Sequence, residues 1–174
     1  MSSSIHIGDC IEVMSHMESD SVDLVVTSPP YNAQKRYEKT RLTRDEYQAF
    51  TEKWLAQVCR VTKPGCNIFI NIGYWSGSRS DRYFLPELFM NAAKDLDMKM
   101  CGWINWVKQK DGLSQTRGCG WGDTYGTSPF FMNGSEPILH FRTAGKRAHR
   151  DNKHPEWMKL VREPWIIAPK NKNK

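Results

Sequence analysis

The residues best suited to chemistry are Ser28, Pro29, Pro30 and Tyr31, set side by side in Thr27-Ser28-Pro29-Pro30-Tyr31-Asn32. Each proline fixes its own φ and lacks an N–H, so the pair neither extends a strand nor enters a helix interior. Ser28 precedes a proline and is held extended. The outcome is a rigid turn that offers a hydroxyl, a backbone carbonyl at Pro29 outside any strand ladder, and an aromatic ring. Two acceptors beside a flat ring suit a planar base that carries an amino group.

Leu24 to Val26 immediately upstream is a short apolar run rich in β-branched residues. It reads as a buried strand of a parallel sheet. The turn therefore lies at the carboxyl end of a strand, where open α/β sheets place their ligands.

Thr-Ser-Pro-Pro-Tyr after Val22-Asp23-Leu24-Val25-Val26 resembles the catalytic motif of the DNA amino-methyltransferases, which move a methyl group from S-adenosylmethionine to N4 of cytosine or N6 of adenine. Ile5-His6-Ile7-Gly8-Asp9-Cys10 resembles the family's strand ending in Gly-Asp. Arg60-Val61-Thr62-Lys63-Pro64-Gly65-Cys66-Asn67-Ile68-Phe69-Ile70 resembles its next helix end and strand. Trp103-Ile104-Asn105-Trp106-Val107-Lys108 and Glu136-Pro137-Ile138-Leu139-His140-Phe141 resemble its final strand pair. The resemblance runs over nearly the whole chain and implies an α/β fold: a Rossmann-like methyltransferase sheet with flanking helices.

The resemblance also implies roles. An exocyclic amine is a poor nucleophile because its lone pair is delocalised into the ring. Ser28 Oγ and the Pro29 carbonyl would hold its hydrogens and free the lone pair, so that rate comes from orientation and electrostatics without a covalent enzyme intermediate. Tyr31 would stack on a base flipped from the duplex. Thr27 and Asn32 would border the target-base pocket. Asp9 and Cys10 would lie at the adenine end of S-adenosylmethionine; Asp9 is equally suited to cap a helix. Serine at the first motif position goes more often with N4-cytosine and aspartate with N6-adenine, so Ser28 favours cytosine. Attack at cytosine C5 uses a thiolate on a Pro-Cys dipeptide, and no such dipeptide occurs in this chain.

These groups need positioning elements. Ile11, Val13, Met14 and Met17 mark a short helix after a strand at residues 4–7. The loop with Gln34, Lys35, Arg36, Lys39, Arg41 and Arg44 sits next to the motif, where its cations would neutralise phosphates around an extruded base. A helix is predicted from Arg44 to Val61, with Thr43 and Glu46 as a capping box. Its stripe of Tyr47, Phe50, Trp54, Leu55 and Val58 belongs to the core. Pro64-Gly65 reads as a turn, Cys66 to Ile72 as a strand, Gly73 to Arg82 as a loop, Tyr83 to Leu96 as a helix, and Gly102 to Lys108 and Ile138 to Phe141 as paired strands. Gly118, Gly120 and Gly122 lie between polar flanks, unlike a cofactor loop between a strand and a helix. Arg117 and the aromatics around it suit a surface that touches DNA.

The chain has 174 residues, net charge +6 and five cysteines. The length supports one domain, and the charge is compatible with a polyanion. No cysteine pair has metal-binding or disulfide-framework spacing, so reduced thiols in a cytoplasm are expected and no metal is. No apolar run is long enough to span a membrane. Residues 1–142 form the target-base-binding half and 143–174 a basic C-terminal segment, partly disordered.

The family carries a Phe-x-Gly-x-Gly loop for the cofactor after the point reached by Trp165-Ile166-Ile167-Ala168-Pro169. Its strands would lie between the strand at 4–7 and the strand at 22–27. The expectation is two ends of a sheet without the middle, with the central strands supplied by a second polypeptide, by self-association, or lost by truncation. Adenine-N6 methylation, a non-catalytic DNA-binding subunit and an RNA amino-methyltransferase stand as the other readings.

Overall fold

A computed structural model describes residues 3–36, 38, 40–77, 81–107, 109–110, 113–114, 135–146 and 165–166. The elements in chain order are α1 (Cys10–Ser15), β1 (Val22–Thr27), α2 (Arg44–Val61), β2 (Thr62–Asn71), β3 (Trp75–Gly77), β4 (Arg82–Phe84), α3 (Leu85–Asp95), β5 (Lys99–Val107), β6 (Gln109–Lys110), β7 (Leu113–Ser114), β8 (Ser135–Arg142) and β9 (Trp165–Ile166). One sheet has the order β1-β2-β8-β5-β9, and β3-β4 and β6-β7 form small two-stranded ladders. β1 and β2 are parallel, β8 is antiparallel to both β2 and β5, and β9 is parallel to β5.

This topology gathers specific ends. The carboxyl ends of β1, β2 and β5 and the amino end of β8 all lie on one side of the sheet. Thr27, Asn71, Asn105 and Glu136 therefore share that rim, with the Ser-Pro-Pro-Tyr turn following β1.

α2 begins as its sequence dictates. Thr43 Oγ1 accepts from the Glu46 N–H, and the Glu46 carboxylate accepts from the Thr43 N–H, a capping box that satisfies two otherwise orphaned donors. Those hydrogen bonds to Thr43 also hold the Glu46 carboxyl below its usual range. Tyr47, Trp54, Leu55 and Val58 are buried, with Phe50 packed against them. α3 adds Leu85, Leu88, Phe89, Ala92 and Ala93, and the sheet adds Ile68, Ile70, Leu139 and Phe141. Alternate residues of β2 and β8 thus face the two helices, as the period of a strand requires.

α1 is shorter than the run to Met17 suggested, and it is fastened to α2. The Arg60 guanidinium donates to the carbonyls of Met14 and Met17 and to Ser19 Oγ, closing acceptors left open where α1 ends.

Several expectations change. Residues 4–7 do not form a strand. The sheet is contiguous from β1 to β9, not two separated ends, and the amino-terminal segment lies outside it with no ladder to join. Pro64-Gly65 does not interrupt the chain between α2 and β2. It sits inside β2 as an irregularity, where the register against β1 jumps from Val22↔Thr62 to Leu24↔Asn67, and Gly65 takes φ 66°, a conformation open to glycine. Residues 73–82 hold a small hairpin limb rather than plain loop, and α3 starts at Leu85 rather than Tyr83. Gly118, Gly120, Gly122 and nearly all of 143–174 fall outside the described residues.

Candidate active site

The turn after β1 is held from behind by tyrosine and asparagine contacts. Tyr47 of α2 donates its hydroxyl to the Pro30 carbonyl at 2.6 Å. Asn32 adopts φ 53°, in the left-handed region that asparagine tolerates better than most residues. Its amide donates to the Leu42 carbonyl at 2.7 Å and the Tyr83 hydroxyl at 2.6 Å, while its Oδ1 accepts from the Leu42 N–H at 2.8 Å. Asn32 is 3% exposed. This corrects the expectation that it borders the base pocket: its amide is consumed inside the protein, and it ties the two ends of the basic loop together.

Tyr31 is the centre of a second network. Its hydroxyl donates toward Asn71 Oδ1 at 2.9 Å and Glu136 Oε2 at 3.2 Å, and it lies 3.2 Å from Ser28 Oγ. A phenol has one proton, so these oxygens share it, and Ser28 can supply a second proton from its own hydroxyl. Gly73 clears the ring: a Cβ there would come within 3.0 Å of Tyr31 Cδ2. Asn71 donates in turn to the Pro137 carbonyl at 3.3 Å. Next to this network, Tyr74 donates to Asn105 Oδ1 at 3.0 Å, which also accepts from Trp103 Nε1 at 2.9 Å. The site is therefore a rim of polar side chains around one oriented ring.

The residues that the sequence singled out are not all brought together. Ser28 and Pro30 are exposed, Pro29 is buried, and Tyr31 and Thr27 are half-buried. Thr27 is the last residue of β1, opposite Ile70. Asp9 caps α1, its carboxylate accepting from the Ile11 and Glu12 N–H groups at 2.9 and 3.3 Å. Cys10 is exposed at the first position of that helix, and partial burial of its thiol, with the Asp9 charge, raises its pKa. Lys35, Arg36 and Arg41 are exposed on the loop that Asn32 closes. Glu38 accepts from the Lys35 N–H at 2.8 Å and so folds that loop on itself. Lys39 and Arg117 lie outside the described residues. Among the described residues no cluster of His, Cys, Asp and Glu is placed to hold a metal, and no helix is long and apolar enough to cross a membrane.

The sequence did not single out Asn71, Gly73 or Glu136 as site residues. Their one signal was position: polar or small residues where predicted strands begin or end.

A planar ring, a hydroxyl and a backbone carbonyl thus stand together at the carboxyl end of a parallel strand of an α/β sheet. The chain matches the DNA methylase family over residues 22–174 and belongs to it, the S-adenosylmethionine-dependent N4/N6 DNA amino-methyltransferases. It is 31% identical over 112 residues to the type II methyltransferase M.HpaI of Haemophilus parainfluenzae, covering 63% of this chain and 33% of that protein. It is 33% identical over 104 residues to M.BglII of Bacillus subtilis, covering 60% and 29%. The chain thus spans about a third of the length of these relatives. Two solved structures share the fold. One, a DNA modification methylase by description from Thermus thermophilus in complex with S-adenosyl-L-methionine, has a TM-score of 0.67 at 22% identity and is covered over 67%, with 92% of this chain. The other, the cytosine-N4-specific PvuII DNA methyltransferase, has a TM-score of 0.65 at 16% identity and is covered over 57%, with 97% of this chain.

The described residues fit the cofactor only in part. They carry a polar rim at the carboxyl end of β1, but the Asp9 carboxylate is spent as a helix cap and no glycine loop stands beside β1 among them.

Proposed function

We propose that this chain is the target-base half of a DNA methyltransferase that modifies N4 of a cytosine flipped out of duplex DNA. The observation that carries this reading is the orientation of Tyr31. Its hydroxyl is tethered by Asn71 and Glu136, which brings Ser28 Oγ to the edge of a fixed ring. A base stacked on that ring has its exocyclic amine beside Ser28 Oγ and the Pro29 carbonyl. Each accepts one amine hydrogen, which draws the nitrogen out of conjugation and exposes its lone pair. Both acceptors are preorganised by prolines, so little reorganisation is needed as charge develops on nitrogen. The serine at position 28, and the cytosine-N4 specificity of the PvuII enzyme that shares the fold, favour cytosine over adenine.

Lys35, Arg36 and Arg41, with Lys39 and Arg117, would contact phosphates of the duplex; among the described residues the first three enter no ion pair. Residues 1–142 carry the base-side chemistry in this reading, and the basic segment 143–174 adds positive charge.

The donor side comes from elsewhere. β1 lies at the sheet edge. Leu24 and Val26 on it are 53% and 73% exposed, and Ile5 and Ile7 are 90% and 96% exposed. An apolar edge strand is an association surface. The occupant that fits is a parallel strand from further polypeptide bearing the Phe-x-Gly-x-Gly cofactor loop. Asp9 and Cys10, at the start of α1, would meet the cofactor in this reading.

The test is to incubate the chain with duplex DNA and S-adenosylmethionine, alone and with a separately expressed cofactor half from a relative. The digested DNA is then analysed for methylated nucleosides. N4-methylcytosine is expected. N6-methyladenine alone would overturn the choice of base. DNA binding without methylation in either mixture would favour a non-catalytic DNA-binding subunit.

A further inference from the structure

We propose that the β3–β4 hairpin is a nucleic-acid contact surface, with Trp75 and Arg82 receiving an unpaired base and its phosphate beside the site of extrusion. The proposal rests on the reading of this chain as a DNA-binding protein and extends it to residues outside the motif and the basic loop.

The hairpin is rooted in the active site. Ser76 Oγ donates to the Asn32 carbonyl at 2.7 Å, and the Leu85 N–H donates to the Tyr74 carbonyl at 2.9 Å. Gly73, two residues before Trp75, is the residue that abuts the Tyr31 ring. A nucleotide seated on Tyr31 therefore has its neighbours in the strand within reach of this limb.

The two faces of the hairpin differ in kind. Ser76 and Tyr83 point inward and are buried. On the other face the register pairs Trp75 with Phe84 and Gly77 with Arg82, which groups Trp75, Phe84 and Arg82. The Arg82 guanidinium lies 5.4 Å from the Trp75 ring centroid, and Trp75 remains 45% exposed. Behind it Phe84 stacks on Trp103 with 14° between planes, and Tyr74 stacks on both. Large aromatic surface left in water on a rigid aromatic support, next to a cation, matches the sequence-tolerant platforms that bind unstacked bases. Arg82 adds positive charge beside the ring, and the loop closed by Asn32, whose carbonyl accepts from Ser76, carries exposed Lys35, Arg36 and Arg41, so the surface suits a polyanion.

The experiment measures binding of the full chain to two fluorescein-labelled duplexes of equal length, one fully paired and one with a two-nucleotide bulge made of a cytosine and its neighbour, so that one unpaired base can occupy Tyr31 and the other Trp75. No cofactor is needed. The wild type is expected to prefer the bulged duplex. W75F should keep that preference. W75L, which retains apolar bulk without a π face, should lose about tenfold in affinity for the bulged duplex, within the range of one base–aromatic stack, and should unfold at the wild-type temperature. Equal binding by wild type and W75L would overturn the hairpin assignment while leaving the DNA-binding reading intact, which K35A/R36A then tests separately. If neither duplex binds the wild type, both readings fall. Altered sedimentation of W75L with unchanged DNA binding would assign the surface to a protein contact and overturn the proposal.

Discussion

Tyr31→Phe separates the hydrogen-bonded tether that the structure shows from the base stacking proposed for the same residue. The ring remains, and with it the stacking surface. The hydroxyl goes, and with it the contacts to Asn71 at 2.9 Å and to Glu136 and Ser28 at 3.2 Å. One of these is charge-assisted, and hydrogen bonds to a charged group contribute roughly 1.5–3 kcal/mol. The site is half-buried, so the low end applies, and unfolding should become easier by about 1.5 kcal/mol. For a domain of this size that is roughly 3–6 °C in Tm. Affinity for a bulged cytosine should fall only slightly in Tyr31→Phe, whereas Tyr31→Ala should forfeit the stack, about 1–3 kcal/mol or five- to 150-fold. The decisive assay is a double-mutant cycle by urea unfolding with Tyr31→Phe and Glu136→Gln. If the two side chains touch as described, their effects are coupled by at least about 0.5 kcal/mol. Additivity within roughly 0.3 kcal/mol would refute the tether, and with it the claim that Glu136 orients the ring.

Three further outcomes follow from other contacts. Asn32→Ala removes a buried amide with three hydrogen bonds, to Leu42 and Tyr83, and places alanine at φ 53°. Chemical unfolding should show a loss of about 2–4 kcal/mol, and limited proteolysis should show faster cutting within residues 33–41. His140 stacks on Phe69 at 4.4 Å, with Nε2 3.1 Å from Asn67 Oδ1. Burial, and then the Arg142 charge, lower its pKa from the usual 6.5. The unfolded chain therefore binds the proton more readily, so stability should be full above about pH 6.5 and decline as pH falls toward the folded pKa. A Tm series from pH 5 to 8 should lose part of that slope in His140→Gln. Finally, Leu24→Lys with Val26→Lys should leave Tm within about 1–2 °C, since both sites are exposed. The same pair should abolish co-sedimentation with a cofactor half; unimpaired assembly would show that the β1 edge is not the joint.

What the sequence made legible was whatever is written in adjacent residues. The Thr43–Glu46 box, the core stripe of α2, the β8–β5 pairing and the rigid Ser-Pro-Pro-Tyr turn each rest on local chemistry or on periodicity, and each appears as read. What it hid was long-range. Asn71 and Glu136 are 40 and 105 residues from Tyr31, and nothing in their neighbourhoods marks them as its partners. The same blindness explains the misplacement of Asn32. Beside a tyrosine of the candidate site an asparagine invites a polar role in the pocket. Yet one residue at positive φ turns the side chain back into the protein, and only the fold brings Leu42 and Tyr83 to meet it. The residues 4–7 illustrate the reverse error. Their alternation suits a strand, but a strand is a relation between two segments, and no described segment pairs with this one.

That relation also ties the base-side chemistry to the open edge. Val25 packs into the core on one face of β1, while Leu24 and Val26 stand exposed on the other. The Ser28–Tyr31 turn is the direct continuation of this strand. A strand docked along the outer edge of β1 would therefore end beside the turn, since parallel partners finish on the same side of a sheet. Any loop following that strand would open onto Ser28. In the proposed reading, the geometry that presents the amine acceptors also directs where a methyl donor would be held: at the carboxyl end of the strand next to β1, across the turn from Tyr31. A cofactor half docked on the far β9 edge would leave donor and acceptor on opposite sides of a five-stranded sheet. Fluorescence quenching between a label at position 24 and one on the cofactor half distinguishes the two edges, and strong quenching is expected only for docking at β1.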